Sequence, residues 1–168
     1  TGMAAADNDV EFMLSSVSTA DFSSVDKLKL SHPNIVIADT GASINVTGNK
    51  IGLVNTRNAD QAVKVVMGNG ESHAAECVGD IKAVQYDRSG ASVKSLVWKD
   101  VHYGNHFEYN LLSVTKYMKE GWQLSGSKTE MTLTKGDAVM KFDILIKTGQ
   151  GTLYCAYFKR TADENTNV

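Results

Sequence analysis

The sequence predicts a mostly β-stranded domain with one short helix, and three observations support this. Short runs of β-branched and aromatic residues recur along the chain, separated by turns rich in glycine, asparagine and aspartate. Only the segment after residue 110 has apolar residues at helical spacing. A chain of 168 residues with 42% hydrophobic residues can bury one core, and no repeat at a solenoid or propeller period is present.

The strands can be placed from the amino end. The first 34 residues mix small and polar residues with short apolar pieces and predict an arm with at most one strand. Ile35 to Ala38 predicts a buried strand that ends directly at Asp39. Gly68-Asn69-Gly70 predicts a hairpin with a mobile tip, because glycine supplies positive φ. Strands are expected at Val63 to Met67, Ala74 to Val78, Ile81 to Tyr86, Ser92 to Trp98, Val101 to Tyr103, Trp122 to Leu124, Met131 to Leu133, Ala138 to Ile146 and Leu153 to Phe158.

The helix is predicted from residues that share one face at helical spacing. Asn110 or Ser113 can cap its start, and Gly121 suits its end. We expect this face to pack against the sheet. Its members are Leu111, Val114, Tyr117 and Met118.

Composition disfavours several classes of function. The formal net charge of -2, without a basic run, makes nucleic acid a poor partner. Cys77 and Cys155 lack CxxC spacing, so neither a zinc site nor a disulfide framework is indicated, and a reducing compartment fits best. No stretch approaches the roughly 20 apolar residues of a membrane span, and the start lacks secretory-signal order. The chain is therefore expected to be soluble and unexported.

Residues 35–43, IVIADTGAS, carry the chemistry. The apolar strand places the Asp39 carboxylate in a turn of small residues, where Gly41 lets another backbone approach and the Thr40 hydroxyl can donate to a neighbouring chain. Two such carboxylates within hydrogen-bond reach share one proton. One then acts as the acid, and the other as the base for a water that attacks a peptide carbonyl. The turn therefore predicts amide hydrolysis without a metal.

A second aspartate in a similar turn would complete the site within one chain, but none is found. The other aspartates considered lack the small residues that follow Asp39: Asp60, Asp80, Asp87, Asp100, Asp137 and Asp143. The partner carboxylate must come from another copy, so the mechanism requires a twofold dimer and predicts an inactive monomer.

Asp39-Thr40-Gly41 resembles the motif of aspartic proteases, and a single copy in a short chain is similar to the retropepsins. Residues 39–50, DTGASINVTGNK, resemble the protease core of copia-type LTR retrotransposons, although Thr40 and Asn45 replace the more usual serine and histidine. Residues 65–81 resemble the glycine-rich hairpin of that group, and residues 99–114, which end in NLLSV, resemble its psi-loop segment, with Leu111-Leu112-Ser113 behind the catalytic turn. Residues 149–157, GQGTLYCAY, resemble the start of a pre-integrase region.

The resemblance implies a retropepsin-like acid protease fold, a closed or partly open β-barrel that forms a homodimer. It implies an N-terminal arm (1–34), a retropepsin core with a flap hairpin (35–121), a C-terminal β extension toward the pre-integrase region (122–160) and a polar tail (161–168). The catalytic residues would be Asp39, Thr40 and Gly41. The substrate-binding residues would be Ala42, Ser43, Met67, Gly68, Asn69 and Gly70. No cofactor and no metal are expected.

The implied function is an aspartic endopeptidase that processes its own polyprotein in the cytoplasm, with virus-like particles as a further setting. Its partners would be a second copy and the polypeptide substrate, not nucleic acid or a membrane. Two alternatives stay open: a binding or dimerisation module that keeps the turn only as a contact, and a latent precursor whose flanking segments hold it inactive. A metal site at His102, His106 and Glu108 is less favoured, because that spacing does not converge on one ion in a strand and loop.

Overall fold

The computed structural model describes residues 11–13, 29–66, 70–149 and 151–161. A short helix, α1, spans Val114–Lys119. The strands of the described residues are β1 (Glu11–Met13), β2 (Ile35–Asp39), β3 (Asn45–Thr47), β4 (Leu53–Asn58), β5 (Lys64–Val66), β6 (Ser72–Ala74), β7 (Cys77–Tyr86), β8 (Ser92–Tyr103), β9 (Asn110–Ser113), β10 (Gln123–Gly126), β11 (Met131–Lys135), β12 (Ala138–Phe142), β13 (Ile144–Thr148) and β14 (Gly151–Arg160). The prediction of a mostly β fold with a short helix is confirmed.

An eight-stranded sheet forms the body of the molecule, in the order β13-β14-β2-β9-β3-β8-β7-β4. An additional antiparallel pairing joins β14 to β7 and closes the strands from β14 to β7 into a barrel. Closure matters because a barrel leaves fewer strand edges open to other chains. The barrel that the sequence predicted is therefore present, and β4 and β13 flank its closed ring.

The centre of the barrel wall has an unusual order of strands. β9 lies between β2 and β3, parallel to β2 and antiparallel to β3, although β2 and β3 are close neighbours in sequence. All residues of β2 and β9 are buried. Strands buried on both faces are apolar without alternation, which explains the continuous run of Ile35 to Ala38.

The last strand, β14, is bonded along both of its edges. Residues 151–155 pair with β13, residues 155–157 pair with β2, and residues 157–160 pair with β7. Tyr157 marks the point where β2 lies on one edge and β7 on the other. The chain after the helix is thus an integral part of the barrel wall.

Two smaller sheets complete the fold. β10, β11 and β12 form an antiparallel sheet that shares a core with the barrel, in which Leu133 and Phe142 pack with Trp98 and Phe158. β1, β5 and β6 form a second sheet, in which β5 and β6 are the arms of the predicted glycine hairpin. Val65 of β5 belongs to the core cluster that contains Ile37 and Leu111. This cluster anchors the base of the hairpin to the barrel.

The structure corrects the predicted helix. Residues 110–113 form β9, so Leu111 lies in a strand, and the helix begins only at Val114. The cap is Ser113, whose Oγ accepts the backbone N–H of Lys116. Val114 and Tyr117 are buried, but Met118 is 47% exposed, so the face predicted to pack is only partly covered. A pairing partner on each side of β9 outweighs the helical spacing of its residues.

Four of the predicted strands are divided or joined in the structure. Ala74 to Val78 is split, since β6 ends at Ala74 and β7 begins at Cys77. Ala138 to Ile146 breaks at Asp143, whose buried carboxylate accepts the backbone N–H of Arg88. Residues 92–103 instead form one strand, β8, which passes through Asp100 with a φ of 55°. Among the described residues, no helix is long and apolar enough to span a membrane.

Candidate active site

Asp39 is the last residue of β2 and is 1% exposed. It lies in register with Ser113, the last residue of β9. The parallel pairing therefore brings the ends of both strands, and the start of α1, to the same place. A carboxylate at this position is held by two rigid elements, as a reacting group requires.

The turn after Asp39 is ordered by its own side chain. The backbone N–H of Gly41 donates to Asp39 Oδ1 at 2.7 Å, which fixes the orientation of the carboxylate. Gly41 and Ala42 are buried, while Thr40 is exposed. Ser43 is partly buried, and its Oγ has no hydrogen-bond partner among the described residues. The turn thus presents Thr40 outward and keeps the carboxylate inside.

Two hydroxyls hold the turn, one from the end of β9 and one from the first turn of α1. Ser113 Oγ and Thr115 Oγ1 both donate to the Ala42 carbonyl oxygen, at 2.6 and 3.2 Å. Asn45 ties the same region to β8, since its Oδ1 accepts the N–H of Ser113 at 2.8 Å and its Nδ2 donates to the Lys99 carbonyl oxygen at 2.8 Å. Buried and fully paired groups of this kind fix one geometry.

The opposite end of the β2 and β9 pair is held by a buried cation. Arg160, the last residue of β14, donates to the carbonyl oxygens of Asn49 and Ile51 at 2.5 and 2.8 Å, and to Thr47 Oγ1 at 3.0 Å. Thr47 in turn donates to Asn110 Oδ1 at 2.6 Å. Burial lowers the pKa of Arg160 to about 10. The guanidinium therefore stays charged at neutral pH, and the oxygen atoms that accept its hydrogen bonds stabilise the charge.

Sequence reasoning missed this supporting layer. Ser113 was expected as a helix cap and, by resemblance, as part of the psi loop behind the catalytic turn, but its hydrogen bond to that turn was not expected. Asn45 was noted only as a departure from the usual histidine. Arg160 was placed only as the last residue of the C-terminal β extension, beyond the predicted strand that ends at Phe158. The serine and threonine within NLLSVT, directly after an apolar run, are the signal that could have identified the two hydroxyls. Nothing local in the sequence marks Arg160, because its partners lie more than a hundred residues earlier.

The predicted flap is described only in part. β5 and β6 form an antiparallel hairpin with Val65 opposite His73. Gly70 has a φ of 87°, and an added Cβ there would meet no atom within 4 Å. Glycine adopts this positive φ more easily than other residues do, so the backbone conformation, and not lack of space, favours glycine at position 70. The other predicted substrate-binding residues of the tip, Met67, Gly68 and Asn69, lie outside the described residues.

The other aspartates that were considered have structural contacts of their own. Asp80 and Asp100 both contact Arg57. Asp87 Oδ1 accepts the N–H groups of Ser89 and Ala91 and so closes its turn, and Asp60 Oδ1 accepts the N–H of Ala62. Among the aspartates that the structure describes, Asp39 is the one that ends a fully buried strand in parallel register with β9.

The histidines do not converge on an ion. His106 stacks on His73 with ring centroids 4.2 Å apart and planes 7° from parallel, whereas His102 lies within β8. No group of three or more potential ligands could hold a metal among the described residues. Burial raises the pKa of Cys77 and raises that of Cys155 to about 12, so both thiols stay protonated. Cys155 is buried in the core cluster with Ile37 and Leu111, whereas Cys77 is only partly buried.

Comparison with known families gives one match. The family model described as Pol polyprotein, beta-barrel domain matches residues 36–122, just over half of the chain. The match begins within β2, contains the Asp39 turn and the hairpin, and ends after α1. Comparisons with curated proteins and with solved structures gave no match.

Proposed function

Because the chain belongs to the Pol polyprotein beta-barrel domain family and is thus a retroelement Pol-derived domain, we propose that it is an aspartic endopeptidase of the retropepsin type. Its sequence motifs are most similar to those of copia-type elements. The enzyme uses one Asp39 from each of two subunits. Its substrate is polypeptide, in the first place its own polyprotein, in the cytoplasm or within virus-like particles.

The observation that carries this proposal is the held Asp39 turn. Its carboxylate sits at the end of a fully buried strand, oriented by the Gly41 N–H, while hydroxyls of Ser113 and Thr115 fix the next carbonyl. An ordinary surface turn has no need of such support. The arrangement suits a group that must keep its geometry while it exchanges a proton.

The second carboxylate comes from a second copy. Thr40 is exposed beside the buried Asp39, so a twofold axis at this turn would let each Thr40 hydroxyl bond to the other chain. The two carboxylates would then share a proton. The charged one draws a proton from water, which attacks the scissile carbonyl, and the protonated one donates to that carbonyl oxygen and later to the leaving nitrogen. Thr40 and Gly41 act by shaping the turn.

The test is cleavage of an unstructured polyprotein segment by the wild type and by Asp39→Asn, across about pH 4 to 7. We expect the cleavage rate of the variant to be at least about a thousandfold lower than that of the wild type, because neither an acid nor a base is left at the turn. Asp60→Asn is the matched control, since it removes an exposed carboxylate that also accepts a backbone N–H. Its rate should equal that of the wild type.

Concentration dependence tests the dimer. The wild-type rate should rise faster than linearly with protein concentration, and sedimentation of the same samples should show dimers where activity appears. Cleavage that survives in Asp39→Asn would exclude the mechanism. A stable dimer that cleaves nothing at any pH would favour the alternative of a binding module on the same scaffold.

A further inference from the structure

The hairpin that carries the glycine tip has a third strand from a distant part of the chain. β1 pairs with β5 in parallel, with Glu11 opposite Lys64, Phe12 opposite Val65 and Met13 opposite Val66. β6 occupies the other edge of β5, so β1 covers the edge that faces away from β6. Among the described strands, β1 pairs with β5 alone.

The edge of β5 is well placed to receive an extended segment. Val65 is 1% exposed and belongs to a core cluster, so β5 is anchored to the barrel. The edge of β5 that faces away from β6 can pair with a further strand, and in this structure that strand is β1. A strand edge offers a row of N–H and C=O groups that any extended peptide can bond to. Parallel partners must come from elsewhere in the chain or from another chain, since a tight turn cannot supply them.

The sequence around β1 suits a segment that binds reversibly. Residues 7–14, DNDVEFML, place an apolar core after three acidic residues, and the register sets Glu11 opposite the exposed Lys64. The described part of the pairing covers three residues of each strand, and a paired stretch of this length has a low intrinsic affinity. Covalent connection to the barrel compensates, because a short linker gives an effective concentration in the millimolar range.

We propose that the outer edge of β5 is a strand-addition site for extended acidic-apolar peptide segments, and that β1 is the intramolecular ligand that fills it. A competing segment of the same chemistry binds there by displacing β1. This site is separate from the Asp39 turn, and its occupancy does not depend on whether Asp39 is catalytic. If the proposed function holds, the arm also tethers the hairpin that covers the substrate.

The first test uses hydrogen exchange on the full-length chain with Asp39→Asn as the background, so that proteolysis cannot affect the result. Phe12→Pro removes a backbone donor in the middle of β1. Ala20→Pro makes the same change in the arm outside β1. We expect amides of β5 to exchange at least about tenfold faster in Phe12→Pro than in the control. Unchanged exchange of β7 and β14 in the same samples establishes that the barrel is intact.

The second test measures binding in trans. A fluorescent peptide of residues 7–18 is titrated into each variant, with a scrambled peptide of the same composition as the control. We expect the peptide to bind Phe12→Pro at least about tenfold more tightly than the Ala20→Pro chain, because the edge of β5 is free only in the former. Equal binding to both chains, or β5 exchange that is unaffected by Phe12→Pro, would overturn the proposal.

A swapped arm is the remaining outcome. If β1 of one copy fills the site on another, protection of β5 in the control chain would fall on dilution, and Phe12→Pro would lower the sedimenting mass. That result would overturn the intramolecular assignment. Peptide binding to a protein whose wild type cleaves nothing would overturn only the proposed function, and wild-type cleavage without peptide binding would overturn only this inference.

Discussion

The residues inside the family match and those after it contribute different things to one barrel. Residues 36–122 contain the Asp39 turn and the hydroxyls that hold it. Residues 123–161 supply β14, which joins β2 to β7 and closes the barrel, and they end with Arg160 bonded back to the Asn49 to Ile51 turn. The part that contains the candidate chemistry therefore depends for its shape on a strand beyond the match.

The largest expected effect comes from removing that strand. A chain that ends at residue 122 would leave β2 and β7 as open edges and would remove Phe142 and Phe158 from the core. We expect it to lack a cooperative unfolding transition, because the loss exceeds the total stability of a typical domain. A chain that ends at Thr161 keeps β14 and should unfold like the full-length protein. Denaturation followed by circular dichroism checks both.

The next effect isolates the cation at the end of β14. Arg160→Met keeps much of the side-chain volume but leaves the Asn49 and Ile51 carbonyl oxygens without their donor. We expect a loss of about 2 to 4 kcal/mol in the free energy of unfolding. Lys159→Met removes an exposed cation from the neighbouring position and should change stability by less than about 0.5 kcal/mol. Urea denaturation measures both, and equal losses would contradict a specific role for Arg160.

Local sequence patterns predicted the structure of residues 36–122 better than that of residues 123–161. The buried strand before Asp39 and the hairpin around Gly70 follow from apolar runs and glycine positions that are close in sequence. The path of β14 depends on pairing with residues 35–37 and 83–86, and no local pattern encodes such distant partners. The break at Asp143 has the same cause, because its carboxylate is satisfied by the distant backbone of Arg88. The segment from Ala138 to Ile146 alone gives no reason to expect it.

The candidate site was predicted as a motif but not as a supported structure. Asp39, Thr40 and Gly41 were identified from the turn and the resemblance, and their catalytic role stays a prediction. The layer behind them consists of Ser113 from β9, Asn45 from β3 and Thr115 from α1, whose side chains converge only when β9 inserts between β2 and β3. Polar residues in an apolar segment indicate such a layer, but the fold decides what they bind.

The smallest expected effect contrasts the acid response of the two parts. Burial lowers the pKa of His102 in β8, whereas the buried base of the C-terminal part, Arg160, has a pKa of about 10 and keeps its proton throughout the acid range. Between the lowered pKa of His102 and its ordinary value near 6.5, the unfolded chain binds the proton more strongly than the folded chain does. Stability should therefore fall as the pH drops below about 6.5.

For one titrating group the loss between pH 7.5 and 5.5 should be no more than about 1.4 kcal/mol, measured by urea unfolding at both pH values. His102→Gln should remove that loss, because the amide does not titrate. An unchanged acid response in His102→Gln would place the sensitive group elsewhere. If the loss of stability at acid pH disappeared only with substitutions in residues 123–161, the acid-sensitive group would lie in the C-terminal part.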